Sequence, residues 1–147
     1  MSDFNPSVLS AAVDAAAGFD PLGFEDVPTA TVRIKDPVTG APTSMVITLA
    51  GPEHPDRKRR LHARQRRMRA AFAKNAGKLP VTDPEDEAAE QLDELVASTL
   101  GWAGSRLPYS AEAARQLYAD PKRRWLCDQV QAALDERELF TRSSAAA

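Results

Sequence analysis

Two oppositely charged segments follow one another in this chain and restrict how it can fold. Ten of the 19 basic residues lie in the segment Arg57–Lys78, and seven of the 21 acidic residues lie in the segment Asp83–Glu94. Pro55 and Pro84 open them, and proline is well suited to the first turn of a helix. We therefore expect two consecutive helices of opposite charge, able to pack as an antiparallel pair.

Apolar residues recur at three- and four-residue spacing, which is typical of helices. In and after the acidic segment this spacing is shown, except between Leu95 and Val96, by Ala88, Leu92, Leu95, Val96 and Leu100. Gly101 and Gly104 follow them. Helices are predicted over four main segments: Pro55 to Asn75, Pro84 to Leu100, Ala111 to Ala119, and Pro121 to Leu139. A short amphipathic helix is also predicted from Asn5 to about Gly18.

Strand patterns precede the charged segments. Val32 and Ile34 alternate with polar residues, Thr43–Leu49 is a second β-rich run, and Pro37–Pro42 has the composition of a turn. A lone hairpin is marginal in water, so this one must pack on helices or pair with another chain. The predicted fold is mainly α with an N-terminal β-hairpin, an α+β class.

The predicted domain organisation has three parts: an N-terminal helix and connector at 1–28, a hairpin plus helical domain at 29–140, and a disordered tail at 141–147. The N-terminus lacks a basic region followed by an unbroken apolar run, so no signal peptide is predicted. No run approaches the ~18 apolar residues of a membrane span. An intracellular protein without membrane contact is expected.

Residues suited to catalysis or metal binding are scarce. Cys127 is the single cysteine, which rules out an intrachain disulfide and a four-cysteine zinc site. His54 and His62 are eight residues apart, without a ligand one helical turn away, and no phosphate-binding glycine loop occurs. We expect no catalytic residue, no metal site, no cofactor and no enzyme activity, and a packing role for Cys127.

The basic helix is the candidate binding surface. Leu61, Met68 and Phe72 fall on one narrow stripe, with Arg64 and Arg67 beside it. We predict that these five residues face a protein partner. Binding to nucleic acid through the arginines is the alternative, but stacking aromatics and a recognisable module are missing, so protein or intramolecular charge pairing is favoured. Tyr118 and Trp125 are expected in the core, and Trp102 is left open between core and partner anchor.

The order of segments resembles a family. The resemblance is based on these segments: a hairpin at Thr31–Thr43, the run Ile47–Pro52, the charged helix pair, Gly101–Gly104, Leu107–Ser110, Glu112–Tyr118 and Trp125–Val130. This layout is similar to that of tail assembly chaperones of phages with long, non-contractile tails. The resemblance covers roughly Thr29 to Phe140 and consists of loose patterns rather than an invariant motif.

Several expectations follow from the resemblance. Such a protein coats the helical tape-measure protein in the host cytoplasm, helps tail-tube protein polymerise around it, and is absent from the virion. Family members often have a longer, frameshifted form, and this chain would be the short form. Homo-oligomerisation is left open. The alternatives are a small nucleic-acid-binding accessory protein using the helix at 55–75 and a structural virion protein.

Overall fold

In the described residues, three strands are followed by two helices, a fourth strand, two more helices and a fifth strand, in a small α+β fold. The computed structural model describes residues 18–143, so the helix predicted from Asn5 lies outside the described residues. The strands are β1 (Phe24–Asp26), β2 (Thr29–Lys35), β3 (Pro42–Ala50), β4 (Thr99–Ala103) and β5 (Thr141–Ser143). The α-helices are α1 (Pro55–Lys74), α2 (Pro84–Ser98), α3 (Ala111–Ala119) and α4 (Arg124–Asp135).

The two β-rich segments pair with each other around a tight turn. β2 and β3 are antiparallel, from Thr29 opposite Ala50 to Lys35 opposite Pro42. In the turn, the Asp36 carboxylate accepts the backbone N–H groups of Val38 at 2.8 Å and Thr39 at 3.0 Å. These N–H groups, that of Thr39 first, stabilise the carboxylate and lower the pKa of Asp36.

A third strand joins this pair, so the hairpin does not stand alone. The predicted helix to Leu100 is wrong at its end: α2 stops at Ser98, and Thr99–Ala103 forms β4 against β3. The Thr99 hydroxyl donates to the carbonyl of Leu95 at 2.9 Å, and its backbone is already extended. Leu100 keeps helical spacing in sequence, but its neighbours Thr99 and Gly101 pair with the free edge of β3, and this pairing decides its conformation.

The last predicted helix is also shorter than expected. Residues Pro121–Arg123 form a 3-10 turn, α4 covers Arg124–Asp135, and a second 3-10 turn covers Arg137–Phe140. Glu136 between them has an extended backbone, with φ −84° and ψ 96°. The break turns Phe140 into the interior, where only 1% of it is exposed. Burial of that ring is the physical reason for the interruption.

The predicted tail and connector pair with each other. Thr141–Ser143, expected to be disordered, form β5 against β1, which lies in the predicted connector. Ion pairs Arg137–Asp26 at 2.9 Å and Arg142–Glu25 at 3.2 Å flank this pairing. Segments outside the predicted boundaries at 28 and 140 thus pair with each other, whereas residues 144–147 lie outside the described part of the chain.

The core lies between the three-stranded sheet and helices α2, α3 and α4. It is built from alternate residues of β2 and β3 and from one face of each helix: Ile34, Ile47, Leu49, Leu95, Ala114, Tyr118, Leu126, Val130, Ala133, Leu134 and Phe140. Tyr118 lies in this core as expected, and Trp125 is half-buried against it. None of the core residues comes from α1.

Candidate protein-binding surface on α1

Helix α1 is fixed at its ends by its own local chemistry. The Nδ1 atom of His54 accepts the backbone N–H of Asp56 at 3.2 Å, and Pro55 occupies the first helical position. At the other end the backbone N–H of Asn75 bonds to the carbonyl of Ala71 at 3.0 Å. His54 is therefore a helix-capping residue. No residue of α1 is buried, and most of its side chains are exposed.

One arginine fastens α1 to α2 through a two-point contact. Arg60 donates from Nε and Nη2 to the two carboxylate oxygens of Glu94, at 3.1 and 3.2 Å. Its Nη2 also donates to the hydroxyl of Ser98 at 3.2 Å, and Ser98 is fully buried. Bidentate pairs of this kind are geometrically specific and stronger than single contacts. The Arg60–Glu94 pair thus fixes the position of α1 on α2.

A second, looser contact lies one turn further along. Glu90 Oε1 is 3.4 Å from Arg64 Nε and 3.8 Å from Arg67 Nη2. The two arginine side chains are 58% and 69% exposed. Since residue 60 meets 94 and residue 64 meets 90, the helices run antiparallel. The sequence-based expectation of a charge-complementary pair is thus met by these contacts, which engage two of the five predicted partner-binding residues.

The other three predicted residues form an exposed apolar stripe. Leu61 is 51% exposed, Met68 46% and Phe72 44%. Helical periodicity places them on one face, roughly a quarter turn from the side that meets α2. Arg64 lies along the edge of this stripe nearer α2, and Lys58 and Arg69 lie along the opposite edge. The structure thus brings the five predicted residues onto adjoining faces of one helix.

A groove that the sequence did not predict lies on another side of the molecule. Its volume is about 450 Å³, and it is lined by α2, α3, the 3-10 turn after α3, and α4. Leu92, Leu95 and Tyr118 supply its apolar lining. The leucines lie on α2 and the tyrosine on α3, so no local sequence pattern indicates the groove. The sequence shows only that these residues are apolar.

Two of the titratable side chains that line this groove have a raised pKa. Burial raises the pKa of Tyr118 to about 12, and its hydroxyl lies 2.8 Å from that of Thr99. Burial also raises the pKa of the Cys127 thiol, which donates to the carbonyl of Tyr118 at 3.3 Å. Both groups are therefore protonated near neutral pH. The Tyr118 hydroxyl joins α3 to β4, and the Cys127 thiol joins α4 to α3, in keeping with the packing role expected for Cys127.

Trp102, whose role the sequence left open, supports the loop after β4. Its indole N–H donates to the carbonyl of Leu107 at 2.7 Å. Its ring meets that of Tyr109 edge-to-face, with centroids 5.0 Å apart. The Tyr109 hydroxyl in turn donates to the carbonyl of Thr99 at 3.0 Å. The half-buried Trp102 thus has intramolecular partners on both its ring and its N–H.

Across residues 18–143, no three His, Cys, Asp or Glu side chains are grouped so as to hold a metal ion. In the same residues, no helix combines the length and apolarity needed to cross a membrane. No protein-family model, curated protein or solved structure matches this chain.

Proposed function

We propose that this protein is a non-enzymatic assembly chaperone of long-tailed phages that binds the tape-measure protein through α1. In the host cytoplasm it covers apolar helical segments of the tape-measure protein until tail-tube protein polymerises around them. The observation that carries this proposal is the apolar stripe Leu61, Met68 and Phe72, which stays exposed on a helix without a buried residue. The segment layout described above adds the phage-tail context.

The dimensions of the stripe suit a helical partner. Leu61 and Phe72 are eleven residues apart, which corresponds to about 16 Å or three helical turns. An amphipathic helix presents apolar anchors over the same distance, and recognition of one helix by another uses such anchors. A tape-measure protein is a very long helical chain with many such segments. Helix packing onto α1 would keep one of these segments out of water during assembly.

Replacing Leu61, Met68 and Phe72 together by serine should weaken binding to the tape-measure protein by at least about 30-fold. Buried apolar anchors carry most of the affinity at helix interfaces, and each contributes on the order of 1 kcal/mol or more. The measurement is titration calorimetry after co-purification of the wild-type complex from cells expressing both proteins.

The matched control is Val38→Ser, since Val38 is 91% exposed in the turn between β2 and β3. It removes an apolar side chain elsewhere and should leave binding unchanged. Circular dichroism should show both variants folded, because none of the four residues is buried. Undiminished binding by the triple serine variant would show that α1 is not the docking surface. Recovery of the chain in purified particles would instead indicate a structural virion protein.

Nucleic-acid binding is the second candidate function, and one observation favours it. Arg66, Arg69, Lys74 and Lys78 have no acidic side chain within ion-pair distance in the part of the chain that the structure describes. Affinity for duplex DNA that falls steeply with salt, and that disappears in an Arg66→Gln, Arg69→Gln variant, would support it. Arg60 is unsuitable for that test because it holds α1 on α2.

A further inference from the structure

The apolar stripe on α1 is surrounded by positive charge. The helix has nine basic residues and a single acidic one, Asp56 in its first turn. Arg57 and Arg64 lie along one edge of the stripe, and Lys58 and Arg69 lie along the other. A partner that covers Leu61, Met68 and Phe72 must therefore place its own flanking residues beside cations. Carboxylates in those positions are attracted, whereas lysines or arginines are repelled.

The cations around the stripe differ in how firmly they are already paired. Arg60 is held by Glu94 in two-point geometry and by buried Ser98. Arg64 and Arg67 share one oxygen of Glu90 at longer distances, 3.4 and 3.8 Å, and are mostly exposed. An exposed pair of this kind contributes little and exchanges readily. Arg64 and Arg67 are thus available to a partner in a way that Arg60 is not.

We infer that the stripe takes an amphipathic helix whose apolar face is flanked by acidic residues, and that Glu90 competes with those residues for Arg64 and Arg67. The inference rests on the proposed helix-binding function and gives the partner's chemistry. Glu94 holds α1 in place, whereas Glu90 occupies the binding arginines until the partner's carboxylates replace it. Binding is consequently weaker than it would be if Glu90 left both arginines free, and it is selective for acidic flanks.

A protein helix fits this surface better than a phosphate backbone does. The centre of the surface is aliphatic and aromatic, and desolvating it favours an apolar partner. Arg66 and Arg69, which have no acidic side chain within ion-pair distance among residues 18–143, lie on the far side of the stripe and at most supply a weaker, salt-sensitive contact.

Two synthetic helical peptides of about 22 residues test the occupant. They share one leucine stripe and differ only in its flanks, which are glutamate in one and lysine in the other. Fluorescence anisotropy with the full chain at about 0.1 M salt should show binding of the glutamate peptide at least tenfold tighter than that of the lysine peptide. Equal binding of the two peptides, or no binding of the glutamate peptide, overturns the inference.

Glu90→Gln tests the competition. It should tighten binding of the glutamate peptide about three- to tenfold, because two arginines lose their internal counter-ion. Glu138→Gln is the matched control: this exposed glutamate forms no ion pair with any described residue, and its loss should leave the affinity within about twofold. Unchanged or weaker binding by Glu90→Gln shows that Glu90 does not compete.

The two proposals fail in different ways. If the glutamate peptide binds as expected but the tape-measure protein does not, the proposed phage-tail function is wrong. The inference that the stripe binds an amphipathic helix with acidic flanks is then retained. If the tape-measure protein binds through Leu61, Met68 and Phe72 while the two peptides bind equally, the function stands and the acidic flanks are wrong. Tighter binding of duplex DNA than of the glutamate peptide overturns the inference and favours the nucleic-acid function.

Discussion

Gly104→Ala is expected to lower the free energy of unfolding by about 4 kcal/mol. Gly104 follows β4 with φ +76°, and a Cβ atom there would lie 1.8 Å from the carbonyl oxygen of Ser44. That oxygen belongs to the backbone of β3 and cannot move without disturbing the central strand. The Ser44 hydroxyl also donates to the carbonyl of Gly104 at 2.7 Å, a bond that displacement would break. Urea denaturation followed by circular dichroism measures the effect.

Gly40→Ala is the control that distinguishes the cost of a positive φ angle from the cost of a steric clash. Gly40 has nearly the same backbone angle, φ +74°, but nothing lies within 4 Å of an added Cβ. The added methyl group disfavours the left-handed backbone conformation but meets no neighbouring atom. The free energy of unfolding of this variant should therefore fall by about 1 kcal/mol. An equal decrease in the free energy of unfolding for Gly104→Ala and Gly40→Ala would mean that Gly104 does not lie against the backbone of Ser44.

Phe140→Ala is expected to lower the free energy of unfolding by about 4 kcal/mol. Phe140 is 1% exposed, and its ring contacts the backbone at Gly51, where a Cβ atom would lie 2.5 Å from Cδ1 of the ring. Its carbonyl accepts the backbone N–H of Val27 at 2.7 Å. Loss of the ring leaves a cavity where the 3-10 turn, the sheet and the β1–β5 pair meet. Thermal and urea unfolding report the loss.

Phe72→Ala provides the comparison, because it is the same substitution at a 44%-exposed phenylalanine. It should lower the free energy of unfolding by less than about 1 kcal/mol, since much of that ring is in water in the folded state. A loss as large as that of Phe140→Ala would mean that Phe72 belongs to the folded core and is not free for a partner.

Local sequence chemistry predicted the elements whose ends carry their own caps. Pro55, Pro84 and Ser110 mark helix starts that the structure shows, and alternation in Thr29–Lys35 predicted a strand. Strands β4 and β5 escaped prediction because their conformation depends on a neighbour distant in sequence. Leu100 continues a helical spacing and Thr141 follows a helical segment, yet each lies in a strand that pairs with another strand at least 50 residues earlier.

The candidate surface was predictable only where it lies on one helix. Leu61, Met68 and Phe72 share a face by periodicity, and their exposure agrees with the predicted stripe. The pairing of Arg60 with Glu94 and of Arg64 with Glu90 depends on the register of α1 against α2, which no local pattern specifies. Their role in binding a partner stays a prediction.

In the proposed function, stability and recognition are carried by different parts of this molecule. Because α1 contributes no buried side chain, substitutions along its outer face would then change what is recognised without weakening the framework beneath it. The helix can therefore diverge rapidly to follow a changing partner while the sheet and the other three helices stay under strict packing constraint. Related chains should accordingly differ most along α1 and least around Ile47 and Val130.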